Sequence, residues 1–139
     1  MNYVTSFFII TFFFPILSSG QNSSNQVYTP ITYGTNHEDH ISEYGEIDYY
    51  SFDATAGDVI MLRMRDETLV DSYIKLYNPG GNMIQSAWSD GGLAKIRNYT
   101  LEETGEYRIQ VFDRNHNDIG KYGLSLHKLN SNFYAEEIP

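Results

Sequence analysis

From Ile31 to Asn130, apolar residues recur every second position, and no stretch carries the 3.6-residue period of an amphipathic helix. Tyr50 and Phe52 share a face in the first clear segment, and Ile60, Leu62 and Met64 in the next. Ile74 and Leu76, then Ile96, then Tyr107, Ile109 and Val111, and finally Tyr122, Leu124 and Leu126 continue the pattern. Successive side chains of a strand point to opposite sides of a sheet, so these positions are the expected core. Between the segments lie Ala56-Gly57-Asp58, Asn78-Pro79-Gly80-Gly81-Asn82, Asp90-Gly91-Gly92, Glu103-Thr104-Gly105 and the stretch Asn115 to Gly120. Each is a turn composition with glycine available for positive φ. The spacing predicts an all-β fold, a single jelly-roll-like β-sandwich of about eight antiparallel strands over residues 31–130. One phase conflict stands out. Ile96 and Tyr99 cannot both face inward on a regular strand, and a bulge near Arg97-Asn98 would reconcile them.

Outside that region the pattern changes. Val4 through Leu17 is a hydrophobic run followed by Ser18, Ser19 and Gly20. As a helix it would extend ~21 Å, short of a ~30 Å bilayer core. Residues 1–20 therefore read as a signal peptide cut after Gly20, with an uncleaved anchor as the alternative. The polar stretch 21–30 reads as a flexible linker and residues 131–139 as a mobile tail. The expected location is secreted or cell-surface, with no membrane span after cleavage. There is no cysteine, so stability has to come from packing or a bound ion rather than from disulfides.

The net charge is −9, and Glu38, Asp39, Glu43, Glu46, Asp48, Asp53 and Asp58 all precede the first Lys or Arg, Arg63. Such a surface repels phosphate backbones, which argues against nucleic acid as a partner and favours cations and basic surfaces. Enzyme signatures are missing: there is no G-x-S-x-G, H-E-x-x-H, glycine-rich phosphate loop or cysteine nucleophile.

Several motifs follow one another in fixed order. Asp48-Tyr49-Tyr50-Ser51-Phe52 gives D-x-Y-x-F, and Ala56-Gly57-Asp58 gives A-G-D. Asp71 ahead of Ile74-Lys75-Leu76-Tyr77-Asn78-Pro79-Gly80-Gly81 comes next, then Thr104-Gly105-Glu106-Tyr107 and Gly120-Lys121-Tyr122. This ordered set resembles the bacterial and archaeal pre-peptidase C-terminal domain, a relative of the collagen-binding domains of secreted collagenases. The resemblance implies a β-sandwich that accompanies exoenzymes and serves secretion, substrate attachment or surface attachment. The expected function is a non-catalytic binding or attachment module at the cell exterior, with an extracellular polymer or an exported protein as partner. A structural module docking onto a separately encoded exported protein is the alternative, and a small exoenzyme a third class.

Some collagen-binding relatives hold Ca²⁺ through an acidic segment ahead of the first core strand and aspartates near the D-x-Y-x-F strand. By that resemblance Asp48 is the first expected Ca²⁺ ligand, with Glu46 and Asp71 behind it; the segment Gln21 to Tyr33 contains no acid to match the relatives' leading motif. A hard cation needs several converging oxygens. Asp66, Glu67 and Asp71 form a second acidic group, and Asp113, Asn115, Asn117 and Asp118 a third without the Gly and Glu of an EF-hand loop. Solvated turn acids are the competing explanation for all of them.

Twelve tyrosines raise a further question, because amphipathic rings on an outer face make a contact platform. Tyr44, Tyr49, Tyr73 and Tyr99 are the candidate ligand-binding residues, against the plainer reading that aromatics favour strands. Tyr107 follows a corner turn and is expected to bond its hydroxyl back to upstream backbone, a structural role. His37 and His40 suit zinc as residue types but would point to opposite faces of a strand. Asn22 and Asn98 head glycosylation sequons in form.

Overall fold

The computed structural model describes residues 25–89 and 92–130. The expected signal peptide, the tail and the Asn22 sequon lie outside them. The strands are β1 (Thr29–Pro30), β2 (Thr35–Ile41), β3 (Ile47–Ala54), β4 (Val59–Asp66), β5 (Ser72–Tyr77), β6 (Met83–Trp88), β7 (Leu93–Thr100), β8 (Gly105–Asp113) and β9 (Gly120–Lys128). They form a five-stranded sheet in the order β1-β3-β8-β5-β6 and a four-stranded sheet in the order β2-β9-β4-β7. All pairs are antiparallel except β1 with β3. The all-β sandwich read from the alternation is what the chain adopts, with nine strands among the described residues.

The core lies between the sheets. Every position assigned to it by the period of two is buried, from Tyr50 and Phe52 through Ile60, Leu62 and Met64 to Tyr122, Leu124 and Leu126. At the conflict between Ile96 and Tyr99 the ladder of β4 and β7 shifts: Leu62 pairs with Ile96 but Ile60 with Tyr99. The extra residue falls at Arg97-Asn98, where Asn98 takes a φ of 50°. The bulge turns Tyr99 inward against the core.

The corner turn behaves as its sequence implies. Tyr107 Oη donates to the Glu103 carbonyl at 2.8 Å and accepts the Glu103 amide at 3.1 Å. The linker differs from its expected form at its end, since Thr29 and Pro30 add a short parallel strand to the edge of β3 and Tyr28 packs edge-on against Tyr49. Proline suits that edge because it lacks the donor a central strand would need.

By this connectivity one end of the sandwich gathers the β2–β3 turn, the β4–β5 and β6–β7 loops and the β8–β9 loop. That end also gathers acids: Asp39, Glu43, Glu46, Asp48, Asp66, Glu67, Asp71, Asp113 and Asp118 lie on or beside those segments.

Candidate functional site

Residues facing outward from the five-stranded sheet are fixed by register. Ile47 of β3 stands opposite Phe112 of β8, which stands opposite Tyr73 of β5, which stands opposite Trp88 of β6. The next row runs Tyr49, Gln110, Lys75 and Ser86. The rings touch one another: Tyr73 lies 4.9 Å from Phe112 between centroids, and Tyr28 lies 5.6 Å from Tyr49. Cations stand over them. Lys75 Nζ is 5.2 Å from the Phe112 centroid, the Arg108 guanidinium 5.0 Å from Tyr28, and the Arg114 guanidinium 3.7 Å from Trp88. His116, from the β8–β9 loop, stacks on Phe112 at 5.0 Å with the rings 3° from parallel. In a chain of net charge −9, this is an aromatic face edged with positive charge.

Of the four tyrosines singled out in the sequence, Tyr49 and Tyr73 lie on this face. Tyr44 sits in the β2–β3 turn, 72% exposed. Tyr99 is a correction: the bulge carries it inward, and its hydroxyl reaches the Ile84 carbonyl at 3.4 Å. Tyr28, Trp88 and Phe112 belong to the face and were not singled out. Trp88 is 50% exposed, and its pairing with Tyr73 across a hairpin was the available signal.

The acids separate into two groups. In the first, Tyr50 Oη donates to Asp39 at 3.0 Å, the Tyr50 and Tyr122 hydroxyls meet, and Tyr122 Oη donates to Asp48. Burial pushes the Asp48 carboxyl above the ordinary value against the pull of the Tyr122 bond, and the charges of Glu46 and Asp39 add to the rise. Burial also raises Glu46, but the Ser42 hydroxyl and the Ser42 and Glu43 amides outweigh it and hold that carboxyl low. Glu46 thereby closes the turn. Asp48 and Glu46 are thus engaged by protein donors, and they do not come together with Asp71 as ion ligands. His37 Nε2 lies 3.3 Å from Asp39 Oδ2, and His40 Nδ1 lies 3.6 Å from Asp39 Oδ1. The two imidazoles take different oxygens of one carboxylate.

The second group joins two acidic stretches that are distant in sequence. Carboxylate oxygens of Asp71, Asp113 and Asp118 lie within 4.8 Å of one another, the one such trio of His, Cys, Asp or Glu among the described residues. Asp113 Oδ2 accepts the Asn117 amide at 2.9 Å and the Asp118 amide at 3.2 Å. Asn115 Nδ2 donates to Asp71 at 2.8 Å. Asp66 lies close enough to feel the charges of Asp71 and Asp113; burial raises its carboxyl first, the Gly92 amide at 2.6 Å and the Ser89 hydroxyl pull it down, and those charges raise it further.

On the outer face of the four-stranded sheet, a cavity of about 420 Å³ is lined by Asn36, Glu38, Arg63, Arg65, Gly123 and Ser125, among others. Its cations are engaged, Arg63 with Ser125 Oγ at 3.3 Å and Arg65 with Glu67 at 2.7 Å. The carboxyls with raised values, Asp48 and Asp66, do not line it. Asn98 is exposed in its bulge.

No family model and no curated protein matches the chain. Solved structures do. The chain is similar to the pre-peptidase C-terminal domain of collagenase from Bacillus anthracis, with a TM-score of 0.63, 17% identity, and coverage of 73% of this chain and 95% of that one. It is similar also to PliG, a periplasmic inhibitor of g-type lysozyme from Aeromonas hydrophila, with a TM-score of 0.53, 16% identity, and coverage of 73% and 98%. At these identities the likeness is one of fold, and the resemblance read from the ordered motifs holds at that level.

Proposed function

We propose that this protein is a non-catalytic binding module of the cell exterior, and that the outer face of its five-stranded sheet holds an extracellular polymer. The observation that supports this reading is the continuous row of Tyr73, Phe112 and Trp88 with Tyr49 and Tyr28 beside it, overlaid by Lys75, Arg108 and Arg114. Trp88 and the partly exposed rings of Tyr28, Tyr49 and Tyr73, seated around the buried Phe112, present rigid contact area at low entropic cost, and the cation–π pairs orient the side chains over them. Such a face suits a repeating ligand with flat apolar surfaces and hydrogen-bond acceptors, such as a polysaccharide or a protein fibre. Export itself rests on the Val4 to Leu17 run and the small residues after it.

The name of the Aeromonas hydrophila protein supports a second reading, docking onto a separate exported protein such as a lysozyme. Both readings place recognition on a surface rather than in a catalytic cleft, and the same screen separates them. The chain from Gln21 onward would be titrated with insoluble and soluble glycans, collagen fibres and g-type lysozyme. Trp88 is the chain's one tryptophan, so its fluorescence reports on this face directly. Binding should shift that emission; in a cosedimentation assay, which needs no tryptophan, Trp88→Ala with Tyr73→Ala should weaken binding by about 2 kcal/mol or more, roughly thirtyfold, while Tyr44→Ala leaves it unchanged. Full binding by the double variant would overturn the assignment of the face, and lysozyme inhibition without polymer binding would favour the second reading.

A further inference from the structure

Three buried oxygens at the acidic end of the sandwich have no hydrogen-bond partner: Asp113 Oδ1, Ser72 Oγ and Asp66 Oδ1. Their side chains converge by construction. Ser72 is paired directly with Asp113 across the ladder of β5 and β8, and both point into the sandwich, 0% and 1% exposed. Asp66 ends β4 in the opposite sheet, within range of the charges of Asp71 and Asp113. A buried acceptor left unpaired has lost its water without a replacement, and the loss is larger for a carboxylate. Three such atoms beside a trio of acids is an arrangement that water-exposed turn acids do not need.

We propose that Asp71, Asp113 and Asp118, with Ser72 and Asp66 behind them, bind a divalent cation, and that the ion is Ca²⁺. Two ligands on opposite sides of a Ca²⁺ at ~2.4 Å are ~4.8 Å apart, so each pair of these oxygens, all within 4.8 Å of one another, has the spacing of ligands to one ion. The donors are carboxylate and hydroxyl oxygens with no imidazole or thiol, which selects a hard cation over zinc. Mg²⁺ demands near-ideal octahedral geometry and holds its waters, whereas Ca²⁺ accepts an irregular set with carboxylates and water together. The site is not the one implied by the collagenase relatives, which centres on Asp48.

The loop that carries the ligands also carries part of the aromatic face. Residues 114–119 join Asp113 to β9, and within them Arg114 covers Trp88 and His116 covers Phe112. The Arg114 amide donates to the Asp71 carbonyl at 2.7 Å, which ties the loop to the other side of the site. An ion held by Asp71, Asp113 and Asp118 pins both ends of this loop, and with it the two side chains capping the face. The cation site stands apart from the polymer reading, because its first readout needs no polymer.

The test is direct binding of Ca²⁺ to the chain from Gln21 onward, by calorimetry, with Mg²⁺ and NaCl at matched ionic strength as parallel arms. Tb³⁺ gives a second probe, since the rings on Phe112 and Trp88's side of the loop can sensitise its luminescence. One site per chain is expected, with Kd near the ~10⁻⁴ M range of extracellular modules and Mg²⁺ at least tenfold weaker. At a hundredfold excess over Kd, Ca²⁺ should raise Tm by about 10 °C. Asp113→Asn and, separately, Asp118→Asn should each lower Ca²⁺ affinity at least tenfold and abolish the Tm gain, whereas Asp48→Asn leaves both intact. Asp118→Asn alters a partly exposed loop residue, so it keeps the test open if Asp113→Asn does not fold. Ca²⁺ acting no differently from NaCl, or binding lost on Asp48→Asn but kept on Asp113→Asn and Asp118→Asn, overturns the proposal.

Discussion

Gly120 opens β9 where the β4–β5 loop crosses it, and replacing it with alanine tests that crossing. A Cβ built on Gly120 would stand 2.5 Å from Leu69 N, 2.6 Å from Thr68 C and 2.8 Å from Leu69 Cα, all backbone atoms with no rotamer to yield. The loop is fastened at the same place. The Lys121 carbonyl accepts the amides of Glu67, Thr68 and Leu69 at 3.1 Å each, and the Lys121 amide donates to Thr68 Oγ1 at 2.8 Å. Relieving the clash means lifting the loop, which costs the ~1–3 kcal/mol of an overpacked site and weakens at least one bond worth ~0.5–1.5 kcal/mol. Gly120→Ala should therefore destabilise by about 2–4 kcal/mol and lower Tm by roughly 10–20 °C. Two other glycines supply controls in the same thermal and urea unfolding series. Gly57 has a φ of +94° and open space around its Cβ position, so Gly57→Ala should cost only the ~1–2 kcal/mol of a left-handed alanine. Gly92 has an ordinary φ and no atom nearer than Ser89 Oγ at 3.6 Å, so Gly92→Ala should be neutral or stabilising by ~0.4–1 kcal/mol. If Gly120→Ala behaves like Gly92→Ala, the loop does not lie on β9 as described.

Tyr107→Phe keeps the ring stacked on Phe52 but removes a hydroxyl that makes two bonds to Glu103, so a loss of about 1–3 kcal/mol is expected in urea unfolding; a loss no larger than that of Tyr77→Phe, whose hydroxyl makes a single bond to Gln110, would refute the corner role. Leu62→Ala and Ile109→Ala, both at 0% exposure, should each cost ~2–5 kcal/mol, whereas exposed Lys95→Ala should stay within ~0.5 kcal/mol; three equal values would mean the strand phase is wrong. Asp58 is buried against Lys128 Nζ at 2.7 Å and Tyr33 Oη at 2.7 Å, and although burial raises its carboxyl, Lys128, the Thr55 amide and Tyr33 together hold it below the ordinary value. A folded value below the unfolded one means this contribution is full above the unfolded value near 4 and lost as pH falls through the folded one. Asp58→Asn should thus cost about 2–3 kcal/mol at pH 7 and flatten the acid limb of the stability curve, which an unchanged limb would contradict.

The sandwich was legible because its cause is local. A side chain's face follows from parity, so Tyr50 and Phe52, or Tyr122, Leu124 and Leu126, announce a buried face without any knowledge of partners. Even the exception was readable, since Ile96 and Tyr99 break parity and a single inserted residue is the cheapest repair. What parity leaves open is which strands become neighbours. Trp88 reads as one aromatic at the end of a weak segment, and it acquires its meaning only through the pairing of β6 with β5 and of β5 with β8. The same gap misplaced Tyr99 among the surface tyrosines, because the bulge that seats it inward was not carried through to its role.

The acidic end shows how a motif can be informative about residue type and silent about assembly. Asp48 and Glu46 stand two apart in a dense acidic stretch, and the resemblance put Asp48 first among the expected ion ligands, with Glu46 and Asp71 behind it. Density is not convergence, however: the Asp48 carboxyl on β3 reaches Tyr122, while the Glu46 carboxyl, in the turn before β3, folds back on Ser42 and Glu43. Asp71, a weaker expected ion ligand, and Asp113, in a group for which solvated turn acids were the competing explanation, are 42 residues apart. They meet because β5 pairs with β8 rather than with its sequence neighbour β4, which sets Ser72 opposite Asp113 and brings Asp71 to the edge of the same pocket. The sign that separates the two groups is hydrogen bonding, not charge. Asp48 and Glu46 have protein donors in place, whereas Asp113, Asp66 and Ser72 each keep a buried oxygen with none. A site for an ion is therefore better sought where burial and an unmet acceptor coincide than where acids are merely numerous, because only there does the folded chain carry a cost that a cation would remove.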